Sequence, residues 1–506
     1  MKFKINNILV VLSCLSFFAA ASAVAQKKAP NIVFFLVDDL GWTDVGCFGS
    51  SFYETPNIDR FATEGVKFTS AYAACHVCSP TRASIMTGKY PARTGLSDWL
   101  PGRREFSFQK FSNVRSVQQL PFEEITIAET LRGHGYRTAA FGKWHMGESP
   151  STPDAHGFDE HAPQDWSRGA PNRTYHSPYN LKGLEALEGE YLTDRLTDEA
   201  LGFIERPDDK PFFLYLAHFA VHDPIQGRTD LVVKYEAKLK ASPPKGDAPF
   251  VLEGNPDNLN PLGREELDDA IGDPAYAGYK ALPNQTVKIK QYQDNAQFAG
   301  MVEAVDQSLG RILSKLEEIG IADDTIVIFF ADNGGMSGMN LGNPNRVVSE
   351  DKLDVAFSTS NLPLRGAKGW LYEGGIRVPC IVKWPGEGRK GAVSDEPIIS
   401  TDFYPSILEM AGLPLLPDQH RDGVSIASLV KGEGALDREA IYWHFPHYSN
   451  HGMQPPGGAI RSGDFKLLEY FENGTVQLFN LKDDIGEQGP VVGFALAPRG
   501  RSRFQS

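Results

Sequence analysis

The chain has 506 residues, of which 41% are hydrophobic, 11% aromatic and 23% charged, and its mean hydropathy is -0.29. These values are ordinary for a globular protein, so they exclude collagen-like, coiled-coil and wholly disordered chains, and the length suits one large or two modest globular units. The formal net charge of -14 argues against nucleic acids and anionic membrane surfaces as partners, and an anionic substrate would need a local pocket of cationic side chains.

The first 25 residues have the pattern of a signal peptide. Lys2 and Lys4 precede an apolar run at 8–20, and Ala23–Ala25 has the small-x-small form of a cleavage site. The apolar run is shorter than the roughly 20 residues that a membrane-spanning helix needs, and no later segment is a credible span. We therefore expect residues 1–25 to be removed and the mature protein to be exported, to the periplasm or beyond, without an integral membrane span.

Apolar runs and amphipathic patterns alternate through most of the chain. The runs that we expect to form buried strands are Asn31–Val37, Thr138–Phe141, Pro211–Leu216, Thr325–Phe330 and Ile376–Val382. The amphipathic segments that we expect to form helices are Asn57–Glu64, Ile125–Gly133, Leu192–Ile204, Asn295–Ile319 and Asp402–Ala411. This alternation predicts an α/β fold with a large mixed, mostly parallel sheet flanked by helices, and functional side chains at the carboxyl ends of its strands.

The C-terminal part of the chain has a different texture. Phe465–Tyr470 and Thr475–Leu481 are short extended stretches separated by Glu472-Asn473-Gly474, which predicts an antiparallel hairpin in a smaller sheet subdomain. We divide the chain after the leader into a large domain at 26–435, this subdomain at 436–488 and an atypical tail at 489–506 that is rich in Pro, Gly and Arg, with a long surface excursion expected at 241–282.

The most informative stretch is Cys75-His-Val-Cys78-Ser-Pro-Thr-Arg82. A thioredoxin-like C-x-x-C pair would need a matching βαβ context. A structural zinc site would need a second pair of ligands, which the sequence does not supply at a suitable spacing. A buried structural thiol is the usual role of a lone cysteine. Only Cys47, Cys75, Cys78 and Cys380 follow the leader, too few for a disulfide framework in a domain of this size.

The run Cys78-Ser-Pro-Thr-Arg82, continuing to Thr87-Gly88-Lys89-Tyr90-Pro91-Ala-Arg93-Thr-Gly95, resembles the signature of type I sulfatases in the alkaline phosphatase superfamily. The resemblance implies an alkaline phosphatase-like fold and oxidation of Cys78 to formylglycine (3-oxoalanine) by a formylglycine-generating maturation enzyme. The chemistry suits a sulfate ester, because one hydroxyl of a hydrated aldehyde can attack sulfur and the other can expel sulfate. Arg82, about one helical turn beyond Cys78, would brace the nucleophile and the sulfate.

Two pairs of polar residues follow predicted strands. Asp38-Asp39 and Asp332-Asn333 offer hard oxygen donors of the kind that calcium or magnesium prefers. Taken singly, each pair is more often a helix cap or a turn. Their contexts match the calcium-binding segments of the resembled family, which implies Ca²⁺ held by Asp38, Asp39, Asp332, Asn333 and the modified Cys78.

Three further segments resemble cationic elements of the same family. Phe141-Gly-Lys143-Trp-His145 implies contacts from Lys143 and His145 to sulfate and the bridging oxygen, and Ala220-Val-His222-Asp-Pro224 implies a sulfate contact from His222, a candidate general acid. Gly366-Ala-Lys368 implies a sulfate contact near the leaving group. In isolation such Lys and His residues are usually solvated or structural. His218 adds a histidine that can serve the metal, the substrate or the fold.

We expect an exported sulfatase that acts on a sulfated carbohydrate such as ulvan, carrageenan or a glycosaminoglycan. The alternatives are a phosphoester or phosphonate hydrolase of the same superfamily, and a glycan-binding homologue that is never matured. The loop groups that can contact a sugar are Arg103, Arg104, Trp166, Arg168 and the histidines of the segment 444–451, and ordinary loop surface is the alternative for each.

Overall fold

The computed structural model describes residues 28–105, 109–164, 170–171, 174–245, 249–254, 281–282, 286–338, 357–451 and 454–495. Its strands are β1 (Asn31–Val37), β2 (Val66–Phe68), β3 (Ala71–Tyr72), β4 (Arg137–Gly142), β5 (Glu160–Ala162), β6 (Phe212–Ala217), β7 (Phe250–Glu253), β8 (Ala281–Leu282), β9 (Thr286–Lys290), β10 (Thr325–Ala331), β11 (Cys380–Lys383), β12 (Ala392–Ser394), β13 (Ile398–Ile399), β14 (Ile441–Phe445), β15 (Gly457–Ser462), β16 (Phe465–Tyr470), β17 (Thr475–Asn480) and β18 (Val492–Ala495). Its helices are α1 (Pro56–Glu64), α2 (Cys78–Thr87), α3 (Pro91–Thr94), α4 (Ile127–Gly133), α5 (Leu192–Glu205), α6 (Thr229–Ala241), α7 (Ala296–Glu318), α8 (Glu373–Ile376), α9 (Phe403–Met410) and α10 (Ala427–Lys431).

An eight-stranded sheet in the order β12-β2-β11-β10-β1-β6-β4-β5 forms the centre of the molecule. The five strands from β10 to β5 are parallel, and β11 runs antiparallel to both of its neighbours. All seven residues of β1 and all seven of β10 are buried, as expected for strands covered on both faces. The predicted fold class is confirmed.

Helices cover both faces of this sheet, as neighbouring side chains of β1 show. Phe34 packs edge-on against Phe403 of α9, with ring centroids 5.1 Å apart. Phe35 points to the other face, where it contacts His218, whose Nε2 lies 2.9 Å from the Oγ of Ser308 in α7. Since the parallel strands are in register, the carboxyl ends of β4, β6, β1 and β10 lie side by side at one edge.

One predicted strand begins in the wrong place. The run predicted as a strand at Ile376–Val382 starts with the last residue of α8, and the ladder with β10 begins only at Cys380. Ile376 and Val378 are fully buried, but Val378 donates its backbone N–H to Ala71 rather than to the main sheet. The apolar pattern at 376–382 therefore indicates that these residues are buried in the core, but it does not show where strand pairing begins.

The C-terminal subdomain is an antiparallel sheet in the order β14-β15-β16-β17-β18. The predicted hairpin is present as β16 and β17, whose turn contains Gly474 at φ 72°. The segment predicted as an atypical tail contributes the fifth strand, β18, which pairs with β17. Residues 1–27, 496–506 and most of the expected excursion at 241–282 lie outside the described residues. Within the described ranges, no helix has the length and apolarity that crossing a membrane requires.

Candidate active site

The ends of four adjacent strands supply most of the predicted site residues. Asp38 and Asp39 follow β1, and Asp332 and Asn333 follow β10. The backbone N–H of Asp332 donates to the carbonyl of Val37 (3.2 Å), and the N–H of Asp39 donates to Asp332 Oδ1 (3.2 Å). The two predicted donor pairs are therefore joined directly to each other.

Cys78 is the first residue of α2, and every residue of this helix is buried. Arg82, one turn further on, donates from Nε to Asp332 Oδ2 (2.9 Å) and from Nη1 to the carbonyl of Lys143 (2.7 Å). Its Nη2 lies 2.8 Å from Asp332 Oδ2 and 3.7 Å from Asp38 Oδ1. Arg82 thus links the helix that carries Cys78 to the ends of β10, β4 and β1.

Two lysines pair with the carboxylates that follow β1. Lys143, after β4, has its Nζ 2.6 Å from Asp38 Oδ2, and Lys368 has its Nζ 2.6 Å from Asp39 Oδ1. Asn333 also donates from Nδ2 to Asp39 Oδ1 (2.7 Å). Both ion pairs are almost fully removed from solvent, so loss of one member would leave the other as a buried charge without a counter-charge, which is destabilising.

Three buried oxygens in this group have no hydrogen-bond partner: Asp38 Oδ1, Asp39 Oδ2 and Asn333 Oδ1. A buried oxygen without a donor is costly. One ligand atom from each of Asp38, Cys78 and Asp332 lies within 4.8 Å of the others. Carboxylate and amide oxygens suit a hard divalent cation, and calcium accepts six to eight such donors. The residues present therefore fit Ca²⁺.

The pKa values of the three carboxyls show how the charges are balanced. Burial, and next the charge of Asp332, raise the pKa of Asp38 well above its usual range. Burial also opposes ionisation of Asp39 and Asp332, but Lys368 lowers the pKa of Asp39 and Arg82 lowers that of Asp332. The cations of the protein thus favour ionisation of two of the three carboxylates, and a further cation would favour that of Asp38.

His145 is placed to accept a proton from Cys78. Its Nδ1 lies 3.2 Å from Cys78 Sγ, and its Nε2 lies 2.9 Å from the carbonyl oxygen of Leu100. A carbonyl only accepts, so Nε2 carries the proton and Nδ1 presents its lone pair to residue 78. Burial and the charge of Lys143 hold the pKa of His145 well below its usual value, so the ring is neutral.

His222 lies on the other side of Asp39. Its Nε2 is 3.7 Å from Asp39 Oδ2, and its Nδ1 is 2.9 Å from Asp223 Oδ1. Burial and Lys368 lower the pKa of His222, but Asp39 and Asp223 outweigh them and raise it to about 9. His222 is therefore protonated at neutral pH and can donate from Nε2.

The structure places several other residues that the sequence singled out away from this group. His218, left open by the sequence, is fully buried against Phe35 and Ser308, and burial lowers its pKa to about 3, which indicates a structural role. Arg103 donates to the carbonyl of Ser449 (2.6 Å), and Arg104 is exposed. Trp166 and Arg168 lie outside the described residues. Cys75 and Cys78 are both free thiols.

Sequence reasoning missed the loop that orients His145. Leu100 accepts from His145, and its own N–H donates to Ser79 Oγ (3.2 Å). Asp98 in the same loop is buried, which raises its pKa to about 7. A backbone carbonyl such as that of Leu100 cannot be identified as a hydrogen-bond acceptor from the sequence. The pairing of Asp223 with His222 could have been predicted, because the two residues are adjacent in the chain.

Comparisons with known proteins identify the family of the chain. The sulfatase family model matches residues 30–413, and the model described as N-sulphoglucosamine sulphohydrolase, C-terminal, matches residues 367–494. A sulfatase of Formosa agariphila is 30% identical, over 92% of this chain and 86% of its own length. An N-acetylglucosamine-6-O-sulfatase of Bacteroides thetaiotaomicron is 27% identical, over 98% and 88%. The crystal structure of Ps i-CgsB with k-i-k-neocarrahexaose is 30% identical with a TM-score of 0.66, over 92% of this chain and 89% of that one. The chain belongs to the sulfatase family.

Proposed function

We propose that this sulfatase hydrolyses sulfate esters of a carbohydrate, with a formylglycine made from Cys78 as nucleophile and a bound Ca²⁺. The observation that carries the proposal is the meeting of residue 78 with three partnerless buried oxygens and three cationic side chains at one edge of the sheet. An acceptor-only anion such as sulfate is held best by donors fixed in a dry site.

The nucleophile stands at the start of α2, where the unmodified Cys78 Sγ marks the position of the side chain. A hydrated formylglycine at residue 78 would supply one hydroxyl to attack sulfur and a second to expel sulfate as the aldehyde re-forms, and a Ca²⁺ held by Asp38, Asp39, Asp332 and Asn333 would supply Lewis acidity. The lone pair of His145 Nδ1 accepts a proton at residue 78, because the Leu100 carbonyl keeps the other nitrogen protonated. Arg82 keeps residue 78 in register with Asp332.

Lys143, Lys368 and His222 supply positive charge to the sulfate. Each of them pairs with Asp38 or Asp39, so each is anchored before substrate arrives. The leaving oxygen of a sugar needs a proton, and the Nε2–H of His222 is the donor whose raised pKa keeps it charged at neutral pH. We assign general acid catalysis to His222 and proton acceptance at residue 78 to His145.

The substrate class rests on the relatives. One relative is named an N-acetylglucosamine-6-O-sulfatase and another, of Canis lupus familiaris, an N-acetylgalactosamine-6-sulfatase, and the Ps i-CgsB structure contains a neocarrahexaose. All three names refer to carbohydrates. A cleaved leader at 1–25 would export the enzyme to the compartment where sulfated polysaccharides are met, after a maturation enzyme has converted Cys78.

The first test is the mass of the tryptic peptide Phe68–Arg82 from protein made in its native compartment. We expect the mass of an aldehyde in place of the thiol at Cys78. Chain with that mass should release sulfate, and not phosphate, from a panel of sulfated and phosphorylated monosaccharides, and should lose activity on chelation and regain it with Ca²⁺. An intact thiol together with retained sugar binding would instead favour a non-catalytic binding protein, and preferential phosphate release a phosphoester hydrolase.

A further inference from the structure

His451 is a buried histidine for which the mechanism above has no use. It lies in the C-terminal subdomain, in the loop between β14 and β15, and is 5% exposed. Neither Nδ1 nor Nε2 has a hydrogen-bond partner. Buried imidazoles normally have their polar atoms bonded, so two partnerless nitrogens on one ring point to a ligand that supplies the missing partners.

The backbone of His451 is fixed against the loop that carries Lys368. A Cβ built on Gly369 would lie 2.2 Å from His451 Cβ and 2.5 Å from the His451 carbonyl oxygen, so only glycine at 369 permits this approach. The N–H of His451 also donates to Ser449 Oγ (3.1 Å), and Arg103 donates to the carbonyl of Ser449. The backbone and Cβ of His451 are therefore held in place by contacts that the ring nitrogens do not make.

His451 adjoins the cationic side of the active site. Its backbone packs against Gly369, next to Lys368, and the charges of Lys368, Asp39, His222 and Asp223 all act on it. Asp223 has a carboxylate that is 42% exposed, which marks the side where the site meets solvent. We expect a sulfate held by Lys368 and His222 to leave the sugar ring that bears it next to Asp223 and His451, on both of which these two cations act.

We propose that His451 is a specificity-determining residue that hydrogen-bonds a hydroxyl group of the sugar ring bearing the sulfate. A hydroxyl both donates and accepts, which matches an imidazole that has one donor and one acceptor, whereas a second sulfate only accepts. Burial and Lys368 hold the pKa of His451 well below its usual value, which agrees with a neutral ring. This inference deepens the proposed function and rests on it, because an aryl sulfate has no such hydroxyl.

The test compares His451→Ala and His451→Gln with the wild-type matured enzyme on two kinds of probe. One probe is 4-nitrophenyl sulfate, and the other is a panel of O-sulfated glucosamine, galactosamine and galactose monosaccharides. The matched control is His134→Ala, because His134 is an exposed histidine at the C-terminal end of α4 that belongs to none of the site elements. Thermal unfolding of all variants checks that each is folded.

We expect His451→Ala to lower kcat/KM about 10- to 100-fold for the sugar sulfate that the wild type hydrolyses, mainly through KM, since a polar group of the substrate loses its partner. Hydrolysis of 4-nitrophenyl sulfate should change less than about threefold, because this substrate has no sugar hydroxyl for His451 to bind and the change should not exceed that of one weak hydrogen bond. His451→Gln, which keeps a donor and an acceptor, should recover part of the loss, and His134→Ala should behave as wild type.

Equal losses on both probes, or a His451→Ala enzyme that matches His134→Ala on the sugar, would overturn the assignment of His451 and leave the carbohydrate sulfatase intact. A wild-type enzyme that hydrolyses 4-nitrophenyl sulfate but neither hydrolyses nor binds any sugar sulfate, with binding measured calorimetrically on Cys78→Ala, would overturn the proposed substrate class and His451 together. The two failures are therefore distinguishable.

Discussion

Two buried clusters of charged side chains both include residues of the segment 366–378. They differ in how closely donors and cations approach their carboxylate oxygens. The site cluster consists of Asp38, Asp39, Asp332, Asn333, Arg82, Lys143 and Lys368. The interface cluster consists of Tyr72, Glu373, Arg377, Arg461, Lys466 and Glu487, and it joins β3 and α8 to β15, β16 and the end of the C-terminal sheet. Both clusters are almost fully removed from solvent.

In the interface cluster every carboxylate oxygen lies within 3.1 Å of a donor, although Glu487 Oε1 meets Lys466 as an ion pair and not as a hydrogen bond. Glu373 Oε1 is 2.9 Å from Lys466 Nζ, and its Oε2 accepts from Tyr72 (2.7 Å) and Arg377 (3.1 Å). Glu487 Oε1 is 2.9 Å from the same Lys466, and its Oε2 accepts from the N–H of Glu373 (2.6 Å). In the site cluster, by contrast, the partnerless oxygens of Asp38 and Asp39 have their nearest paired cation at 3.7 Å.

In the interface cluster the protein's own cations and donors balance the carboxylates, whereas in the site cluster a ligand must supply the missing positive charge. Burial and ionic pairing are common to both, so neither property identifies a functional site. What distinguishes the site cluster is that the partnerless oxygens of Asp38 and Asp39 have no paired cation closer than 3.7 Å, whereas Glu487 Oε1 lies 2.9 Å from Lys466 Nζ. Exchanging charges in each cluster should therefore move different observables, activity in one and stability in the other.

The largest effect should come from Asp38→Asn in the site cluster. Asparagine keeps an acceptor for Lys143 but removes the charge from the partnerless side of the carboxylate. We expect kcat/KM to fall at least about 1,000-fold, since a metal contributes several kcal/mol to the transition state. The midpoint of thermal unfolding of the metal-free enzyme should change little, because burial and the charge of Asp332 already raise the pKa of Asp38 and disfavour its ionisation when no metal is bound. Activity within tenfold of wild type would show that Asp38 does not serve the ligand.

The next effect should come from Lys466→Met in the interface cluster. Removing the lysine leaves Glu373 and Glu487 buried and facing each other without it, which typically costs about 3–5 kcal/mol. In a chain of this length the midpoint should fall by about 3–5 °C. The turnover of the folded fraction should stay as in wild type, measured after active-site titration.

The control for this variant is Arg132→Met, which breaks a pair with Asp159 at 3.9 Å in which both side chains are more than 40% exposed. That pair should contribute at most about 1 kcal/mol. A fall in midpoint as large as that of Lys466→Met would mean that burial does not explain the difference between the two pairs.

The carboxyl ends of β1 and β10 show what the sequence could predict. A buried apolar run that stops at an acidic residue predicts a strand end, so the sequence predicts Asp38 and Asp332 at strand ends, and the structure pairs these two strands. The sequence does not predict the backbone conformation of the residues that follow such strand ends. Asp39 and His145 have φ angles of 61° and 55°, in the left-handed region that non-glycine residues rarely adopt. Such backbone strain is imposed by tertiary contacts, here including the bond from His145 to Leu100.

The short strands were also beyond reach. β2, β3, β5, β12 and β13 have two or three residues each, too few to show a period. The interface cluster was missed for a related reason, because Glu373 and Lys466 are 93 residues apart and only the fold brings them together. The partnerless oxygens belong to the same class of property, since a lack of donors depends on everything around the atom.

A smaller effect should follow calcium itself. Adding Ca²⁺ to chelator-treated enzyme should raise the midpoint, because a ligand at 100 times its Kd stabilises the folded state by about 2.7 kcal/mol, or about 2–3 °C here. Lys466→Met should keep the whole response and Asp38→Asn should lose most of it. A calcium response that is equal in both variants would mean that the ion binds elsewhere.

The smallest effect should come from Glu487→Gln and should depend on pH. Burial raises the pKa of Glu487 to about 7, from about 4.5, whereas Lys466 and Arg377 overcome burial and lower that of Glu373 to about 2. The folded state therefore holds a proton on Glu487 that the unfolded state has lost, so the stability it contributes is full below pH 4.5 and is lost as pH rises through 7.

Glutamine has no proton to lose, so the Gln variant should gain on wild type across this window. Its midpoint relative to wild type should be about 1–2 °C higher at pH 8 than at pH 5, the size expected for one to two kcal/mol in a chain of this length. The measurement is a pair of thermal unfolding curves at each pH and at one scan rate. A gain in the opposite direction would mean that Glu487 is ionised in the folded protein, and that Lys466 neutralises two full charges rather than one.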